Sequence, residues 1–174
     1  MPEGKIVVLM GSPRDLPFAV KIKDFLKKEK FPVSCIYDVA SAHRTPEKLL
    51  NDLKGYEESG DSLVYITVAG LSDALSGVVA GYTLYPVVAC PPDSEKYGGA
   101  KVFSSTAMPK GIPVAYVVKP ENAALVAVRI HAISNPDLKK RLDDFKQKMA
   151  KSVYNGAEEV KKVTQKKDVN RLAV

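Results

Sequence analysis

Near its start the chain reads Lys5-Ile6-Val7-Val8-Leu9-Met10-Gly11-Ser12-Pro13-Arg14-Asp15. Residues 5–10 form an almost continuous apolar run, which is typical of a strand buried on both faces of a parallel sheet. After the turn, apolar residues recur at helical spacing, at Phe18, Ile22, Phe25 and Leu26. The stretch therefore predicts a strand, a turn and a helix. Backbone N–H groups at such a helix start attract phosphate, and Gly11 lets a ligand approach closely. Gly11 is the only glycine of the turn, so this is not the three-glycine dinucleotide fingerprint.

The same pattern repeats along the chain. A second strand is predicted at residues 33–38 and a third at 63–68, the latter followed by a turn of small residues, 69–77. Two further strands are predicted at 86–90 and 113–118. Successive strand–turn–helix units predict an α/β fold: a three-layer α/β/α sandwich with a doubly wound, flavodoxin- or Rossmann-like parallel sheet of about five strands. The three turns would gather at one edge of that sheet, where ligands bind in such folds.

The second turn carries the most chemistry. It reads Asp38-Val39-Ala40-Ser41-Ala42-His43-Arg44-Thr45-Pro46. Thr45 is predicted to cap the following helix, with Pro46 in its first position. Arg44 offers a fork of donors for a phosphate, and His43 can hold or release a proton near neutral pH. The segment alone is equally compatible with a capped turn that carries an exposed histidine and a surface arginine.

A loop rich in proline and glycine, residues 91–99, follows the fourth predicted strand. Its composition is too rigid and polar for the core, and we expect it to cover a pocket. Residues 104–111 then close a short helix.

Length and charge narrow the function classes. The 174 residues suffice for one domain, residues 1–174, and the net charge is +6. From Lys139 onward there are eleven Lys/Arg against five Asp/Glu, which accounts for the whole excess. These charges alternate with apolar residues at helical spacing and without interleaved aromatics, so we expect a solvated helix face and no nucleic-acid partner. No apolar run is long enough for a membrane span, and the N-terminus does not resemble a signal peptide; we expect a cytoplasmic protein.

Cysteine and histidine usage argues against a metal centre. Cys35 and Cys90 both fall in apolar strand-like segments, and we expect two buried thiols. They lack zinc-site spacing, and the chain has only two histidines. The second, His131, lies in a predicted helix over residues 122–133 that is apolar almost all round, and we expect it to be structural.

The last predicted helix, residues 136–164, follows a core of residues 5–133. Its apolar stripe contains Leu138, Leu142, Phe145, Met149 and Val153. Because five strands and their helices are already complete by residue 133, we expect this helix to pack on a neighbouring subunit.

These motifs occur together and in order along residues 5–133. They are Met10-Gly11-Ser12 with Asp15, Ser41 to Pro46, Ala69-Gly70, Cys90-Pro91-Pro92, Ser104-Ser105, Met108 to Gly111, and Asn122 to Leu125. In this combination the chain resembles the phosphoribosylaminoimidazole carboxylase and N5-carboxyaminoimidazole ribonucleotide (N5-CAIR) mutase family of purine biosynthesis.

The third turn resembles the class II, or direct, carboxylases more than the mutases. In the mutase class this loop carries a second histidine in an Ala-His-Leu-Pro-Gly segment, whereas residues 74–77 here read Ala-Leu-Ser-Gly. The direct carboxylases typically have Ala-Gly-Arg-Ser-Asn in this turn. This chain departs from that pattern with Leu71 in place of Arg and Asp73 in place of Asn. Arg44 is the choice of the mutase class, and Arg14 replaces the usual Ser.

The resemblance implies reversible carboxylation of 5-aminoimidazole ribonucleotide (AIR) by carbon dioxide to 4-carboxy-AIR (CAIR), without cofactor, metal, ATP or biotin. His43 would be the general acid and base. Ser12 and Asp15 would contact the ribose phosphate portion, and Arg44 the phosphate. Further predicted substrate-binding residues are Gly11, Ser41, Ala42, Ala69, Gly70, Leu71, Ser72 and Asp73, with the Ala69-Gly70 backbone lining the carbon dioxide pocket. The family forms octamers or tetramers, so a homo-oligomer is expected.

Three alternatives remain open. The nearest is a mutase that uses the carbamate of the same ribonucleotide. Another is a related carboxylase acting on a pyridine nucleotide, as in nickel-pincer cofactor synthesis. The third, favoured by the departures at Leu71 and Asp73, is a flavodoxin-like nucleotide-binding module without catalysis.

Overall fold

The sheet is parallel throughout and has five strands. The structure is a computed structural model that describes residues 4–165. The strands are β1 (Gly4–Met10), β2 (Ser34–Val39), β3 (Ser62–Val68), β4 (Val87–Ala89) and β5 (Ala115–Tyr116). Their order across the sheet is β2-β1-β3-β4-β5, with every neighbouring pair parallel. The predicted doubly wound α/β fold is confirmed.

Helices cover both faces of the sheet. They are α1 (Leu16–Lys28), α2 (Pro46–Glu58), α3 (Ala74–Tyr82), α4 (Val102–Thr106), α5 (Pro120–His131) and α6 (Pro136–Gln165). One hydrophobic cluster joins α1 and α5 to one face of β1 and β3, and a second joins α2 and α3 to the opposite face. The molecule therefore has the three layers that the sequence predicts.

Strand β1 explains why the first stretch of sequence is apolar at every position. Ile6 and Val8 face the cluster of α1 and α5, while Val7 and Leu9 face that of α2 and α3. All four side chains are fully buried. From β1 the chain moves outward to β2 and then crosses back to β3 on the other side. The crevice between the ends of β1 and β3 is thus the topological switch point, the usual place for a ligand.

Strand β5 is shorter than predicted. The sequence suggests residues 113–118, but only Ala115–Tyr116 pair with β4 as a strand, and one more hydrogen bond joins the Val117 N–H to the Ala89 carbonyl at 2.9 Å. Pro113 has no N–H to donate, and β5 lies at the edge of the sheet. Apolar composition alone therefore overestimates the paired length.

Helix α6 packs on its own domain over its first turns, as far as the ion pair of Lys148 with Glu29. The expected contact of this helix with a neighbouring subunit stays a prediction. Leu138 is buried, and Phe145 meets Phe25 edge to face at 5.8 Å. Beyond Phe145 the apolar side chains Met149 and Val153 are exposed, the latter at 72%. Thirty residues make a helix of about 45 Å, which extends past the face that its first turns cover. A groove of about 520 Å³ lies between α5 and α6.

The cysteines are buried, as expected, and the second histidine, His131, is buried as well. Cys35 and Cys90 are free thiols, and burial raises their pKa values to about 11 and about 12. His131 packs against the start of β1, where a Cβ on Gly4 would lie 3.0 Å from its ring. Burial also lowers the pKa of His131. Within residues 4–165, no helix combines the length and the apolar character needed to cross a membrane.

Candidate active site

Turn 1, residues 11–15, follows β1 at the switch point. The Gly11 N–H donates to the Val68 carbonyl at 2.9 Å, which ties the turn to the end of β3. A Cβ at Gly11 would lie 3.4 Å from the Ala69 Cβ and 3.9 Å from Asp15 Oδ2, so the two turns approach closely here. The Ser12 hydroxyl accepts from the Arg14 N–H at 3.3 Å. Asp15 stands immediately before α1, with its carboxylate directed back toward Gly11.

Turn 2, residues 40–45, follows β2 and holds its shape through Ser41 and Thr45. The Thr45 hydroxyl accepts from the Ser41 N–H at 2.9 Å, and the Ser41 hydroxyl accepts from the Arg44 N–H at 3.2 Å. Thr45 does occupy the N-cap position and Pro46 begins α2, but the predicted side-chain cap is wrong, because the Thr45 hydroxyl makes no hydrogen bond to the helix. Its hydroxyl instead tightens the turn that presents His43 and Arg44.

Arg44 joins turn 2 to turn 1. Its Nη2 donates to the Gly11 carbonyl at 3.2 Å, and its Nε lies 3.5 Å from the Ser41 hydroxyl. The side chain is exposed, so its remaining N–H groups are open to a ligand. The planar guanidinium of an arginine in this setting suits a multiply charged oxyanion such as phosphate, which can accept two hydrogen bonds from it.

His43 is exposed at the tip of turn 2. Within the part of the chain that the structure describes, its ring makes no hydrogen bond to another residue. Both ring nitrogens are therefore accessible for proton exchange with a bound molecule, which a general acid and base requires.

Turn 3, residues 69–73, ends in a buried carboxylate. Asp73 is 2% exposed, and its oxygens accept from the Ser76 N–H at 3.2 Å, the Ser76 hydroxyl at 2.6 Å and the Ser105 hydroxyl at 2.6 Å. Its own N–H donates to the Ser104 hydroxyl at 2.7 Å. Asp73 thus caps α3 and connects turn 3 to α4. It supports the turn from inside, and its predicted contact with substrate stays a prediction.

Replacing Asp73 with asparagine is expected to change how stability depends on pH. Burial raises the pKa of Asp73 above its usual 3.8, so the folded protein holds this proton more tightly than the unfolded chain does. Ionisation then costs stability as the pH rises from 3.8 through the folded pKa. The free energy of unfolding of the wild type minus that of D73N should fall over this window and then level off. Urea unfolding at about pH 4 and about pH 7 measures the difference.

Asp73→Ala is the matched control for this prediction. It leaves the donors of Ser76 and Ser105 without their acceptor and should cost about 1–3 kcal/mol at neutral pH. An asparagine keeps one acceptor oxygen and should stay within about 1 kcal/mol of the wild type there. A wild type that gains stability over D73N as the pH rises would contradict the argument.

The loop between β4 and α4, residues 90–101, holds the other side of turn 3. Asp93 accepts from the Leu71 N–H at 2.9 Å, and the buried Lys101 ammonium donates to the Ala69 carbonyl at 3.0 Å. Lys101 also forms an ion pair with Asp93. The sequence predicts a pocket-covering loop here but does not single out these two residues, because an isolated lysine and an aspartate in a polar loop resemble ordinary surface residues.

A cleft of about 360 Å³ opens between turn 3 and this loop. It is lined by Leu71, Ser72, Tyr97, Ala100, Lys101 and Ser104. Two of its lining side chains are large and exposed, Leu71 at 58% and Tyr97 at 71%.

All of the predicted site residues lie at one edge of the sheet, on the turns that follow β1, β2 and β3. Direct contacts link Arg44 to Gly11 and Gly11 to the end of β3, while Asp15 approaches Gly70 from one side. Ala69 and Asp73 are buried, whereas His43, Leu71 and Ser72 face solvent. Within residues 4–165, no group of three or more His, Cys, Asp or Glu side chains is arranged to hold a metal ion. The turns therefore bring an exposed arginine, a half-buried carboxylate and an exposed imidazole to one edge of the sheet.

Comparison with known proteins identifies the family of this chain. Residues 5–152 match the family model described as AIR carboxylase. The chain is 40% identical over 157 residues to a phosphoribosylaminoimidazole carboxylase of Archaeoglobus fulgidus, which covers 90% of this chain and 85% of that protein. It is 41% identical over 160 residues to an N5-carboxyaminoimidazole ribonucleotide mutase of Methanocaldococcus jannaschii, over 91% of this chain and 98% of that protein.

A solved structure agrees with the sequence matches. The crystal structure of Treponema denticola PurE superposes with a TM-score of 0.86 at 36% identity, covering 90% of this chain and 98% of that one. The relatives' names include both carboxylase and mutase, so they agree on the family and differ on the reaction. From the family match and the relatives, the chain belongs to the AIR carboxylase family, enzymes of purine biosynthesis.

Proposed function

We propose that the protein is a direct AIR carboxylase, a carboxy-lyase that adds carbon dioxide reversibly to AIR to give CAIR without ATP or biotin. The observation that carries this proposal is the sequence of the first turn of α3, directly after turn 3. Where the mutase class has a second histidine, residues 74–77 have no ionisable side chain, and Leu75 and Ser76 are buried. The chain's other histidine, His131, is buried at the opposite end of β1. A single imidazole at the site suits a reaction with one proton to move.

The reaction requires the enzyme to orient AIR and carbon dioxide and to move the C4 proton. The C4 carbon of AIR behaves as an enamine carbon and attacks carbon dioxide, so a C–C bond forms while C4 still holds its hydrogen. His43 then takes the C4 proton, which restores the aromatic ring, and returns it in the reverse reaction as carbon dioxide leaves. Orientation of the two reactants supplies much of the rate, and a single general base adds about 100- to 10,000-fold.

The three turns would divide the substrate between them. Arg44, anchored through the Gly11 carbonyl and the Ser41 hydroxyl, would hold the phosphate with its free N–H groups. Ser12 and the Asp15 carboxylate would take the ribose phosphate portion, because hydroxyl groups donate to carboxylates. The backbone of Ala69 and Gly70 would line the space for carbon dioxide next to His43. Such an enzyme also fits the expected cytoplasmic location.

The second candidate is N5-CAIR mutase. Arg44 is the residue typical of that class, and the Methanocaldococcus jannaschii relative carries the mutase name at 41% identity. The two activities share the ribonucleotide and differ in the source of the carboxyl group.

One experiment separates the candidates. Purified protein is given AIR and bicarbonate without ATP, and the carboxylated product is followed by ultraviolet absorbance. A parallel run supplies the carbamate N5-CAIR in low-bicarbonate buffer. Turnover with AIR and bicarbonate alone is the expected result. Turnover mainly with the carbamate would overturn the proposal in favour of the mutase, and nucleotide binding without turnover in either run would favour a binding module.

We further propose a homo-octamer or homo-tetramer in which the exposed part of α6 contacts another subunit. The exposed side chains Met149 and Val153 support this, together with the groove between α5 and α6. Light scattering at micromolar concentration should show an oligomer for the wild type, and Val153→Glu should shift it toward smaller species because a charge in an apolar contact is costly. Lys151→Glu, a charge change elsewhere on the helix, is the control. A monomeric wild type would contradict the prediction.

A further inference from the structure

The ion pair of Lys101 and Asp93 stands beside the site without a role in the reaction described above. The Lys101 side chain is 1% exposed and that of Asp93 is 10% exposed. Lys101 Nζ donates to the Ala69 carbonyl at 3.0 Å, and Asp93 also pairs with the exposed Lys96 at 3.2 Å. Burying an ion pair adds little to stability, because the cost of desolvation offsets the attraction. Its main consequence therefore lies in what the pair holds in place.

The first consequence is the backbone of turn 3. Leu71 has a φ of +60°, a left-handed conformation that non-glycine residues adopt at a cost of about 1–3 kcal/mol. Its N–H donates to Asp93 at 2.9 Å, and the carbonyl of Ala69 is held by Lys101. The residues on both sides of Gly70 are thus fixed by one ion pair from the following loop.

The second consequence is the charge around Gly70. A Cβ on Gly70 would lie 3.4 Å from Asp93 Oδ2 and 3.8 Å from Asp15 Oδ1, so two carboxylates approach this glycine. The charged groups that act on Asp15 are Asp93, Lys101 and Arg44. Burial, and to a smaller extent the neighbouring Asp93, raise the pKa of Asp15, while a hydrogen bond from the Ser12 backbone and the charges of Lys101 and Arg44 lower it.

We propose that Lys101 and Asp93 are positioning residues of the active site: the pair fixes the Ala69–Leu71 backbone, and the ammonium of Lys101 compensates the two carboxylates so that Asp15 stays a charged acceptor for the ligand. Neither residue needs to touch the substrate. The inference rests on the proposed function only for the identity of that ligand, since the geometry of turn 3 and the charge on Asp15 can be measured without it.

The test that needs no substrate is a titration of Asp15. Carboxyl ¹³C NMR on protein labelled at aspartate, with the Asp15 signal assigned through Asp15→Asn, gives the midpoint in each variant. Lys101→Met removes a nearby cation and should move the Asp15 midpoint to higher pH. Asp93→Asn removes a nearby anion and should move it to lower pH. Lys101→Arg keeps the charge and should restore the wild-type midpoint.

Lys96→Met is the matched control. Lys96 also pairs with Asp93, but its side chain is 56% exposed, so solvent screens its charge. The Asp15 midpoint should stay where it is in the wild type. Shifts of the same sign in Lys101→Met and Asp93→Asn, or no shift in either, would overturn the charge-compensating role.

Kinetics then test the consequence for ligand binding. In Lys101→Met the KM for AIR should rise about tenfold at mildly acidic pH and less at alkaline pH, where Asp15 ionises again, with a smaller change in kcat. Lys101→Arg should recover most of the loss. An equal loss at every pH, unrelieved by arginine, would show that the charge of Lys101 does not act on ligand binding and would overturn the charge-compensating role. An inactive wild type with the predicted Asp15 shifts would reject the proposed reaction and leave the charge relation standing.

Discussion

His43→Asn is expected to lower the turnover of AIR and bicarbonate about 100- to 10,000-fold, the usual contribution of one general acid and base. Asparagine keeps a polar side chain of similar reach but cannot exchange a proton at neutral pH. The ring of His43 is exposed and makes no hydrogen bond to another residue within the described part of the chain, so the substitution leaves the contacts of turn 2 intact. The dissociation constant for the nucleotide should therefore change by no more than a few fold.

The measurement pairs initial rates with a binding titration of the same preparation. His131→Asn is the comparison, because it removes the chain's other histidine at the far end of β1. It should lose stability, since His131 is buried, but should keep turnover close to that of the wild type under folding conditions. Full turnover in His43→Asn would exclude His43 as the proton carrier.

Arg44→Met is expected to have the largest effect on binding. Hydrogen bonds between charged partners contribute about 1.5–3 kcal/mol each, so the KM for the nucleotide should rise about 10- to 150-fold. The substitution also removes the hydrogen bond of Nη2 to the Gly11 carbonyl, which connects turns 1 and 2. The effect on kcat should be smaller, because the phosphate lies away from the reacting carbon.

Arg44→Lys separates charge from shape. Lysine keeps the positive charge but loses the planar fork, so its KM should fall between those of the wild type and Arg44→Met. Inhibition by ribose 5-phosphate, compared with that by ribose, assigns the contact. Arg44→Met should abolish the advantage of the phosphorylated sugar; a variant that weakens both inhibitors equally would show that Arg44 does not bind the phosphate.

Much of the fold is readable from the sequence because buried parallel strands leave a strong signal. In β1 and β3 nearly every side chain meets a helix layer, so the apolar runs end close to where the strands end. The edge strand β5 is not covered by helices in this way, and the sequence overestimates its length. Pro113 cannot donate a backbone hydrogen bond, and only Ala115–Tyr116 pair as a strand. Helix α6 is a second case in which the sequence pattern does not give the packing. Its apolar stripe is regular, but the pattern does not show that Leu138 is buried within its own domain while Val153 is exposed.

For the candidate site, the sequence likewise predicts the location of the residues but not their contacts. Turns that follow predicted strands can be assigned to one sheet edge by topology alone, and this brought His43, Arg44 and Asp15 together. The hydrogen bonds between turns cannot be predicted in this way, because the choice of partner depends on differences of tenths of an ångström in the distance between atoms. The Thr45 hydroxyl accepts a hydrogen bond from Ser41 and makes none to the helix. The proposed role of Lys101 depends on its hydrogen bond to the Ala69 carbonyl, 32 residues earlier in the chain.

The supports of turn 3 also have a consequence for the order in which the protein is made. Asp93, Lys101, Ser104 and Ser105 all follow the turn in sequence, with separations of 22 to 32 residues. When β3 leaves the ribosome, every predicted site residue has been synthesised, yet the turn has none of these four contacts. We therefore expect turn 3 to take its final geometry only after α4 emerges, so that a nascent chain that ends before residue 93 carries all of the predicted site residues without these supporting contacts.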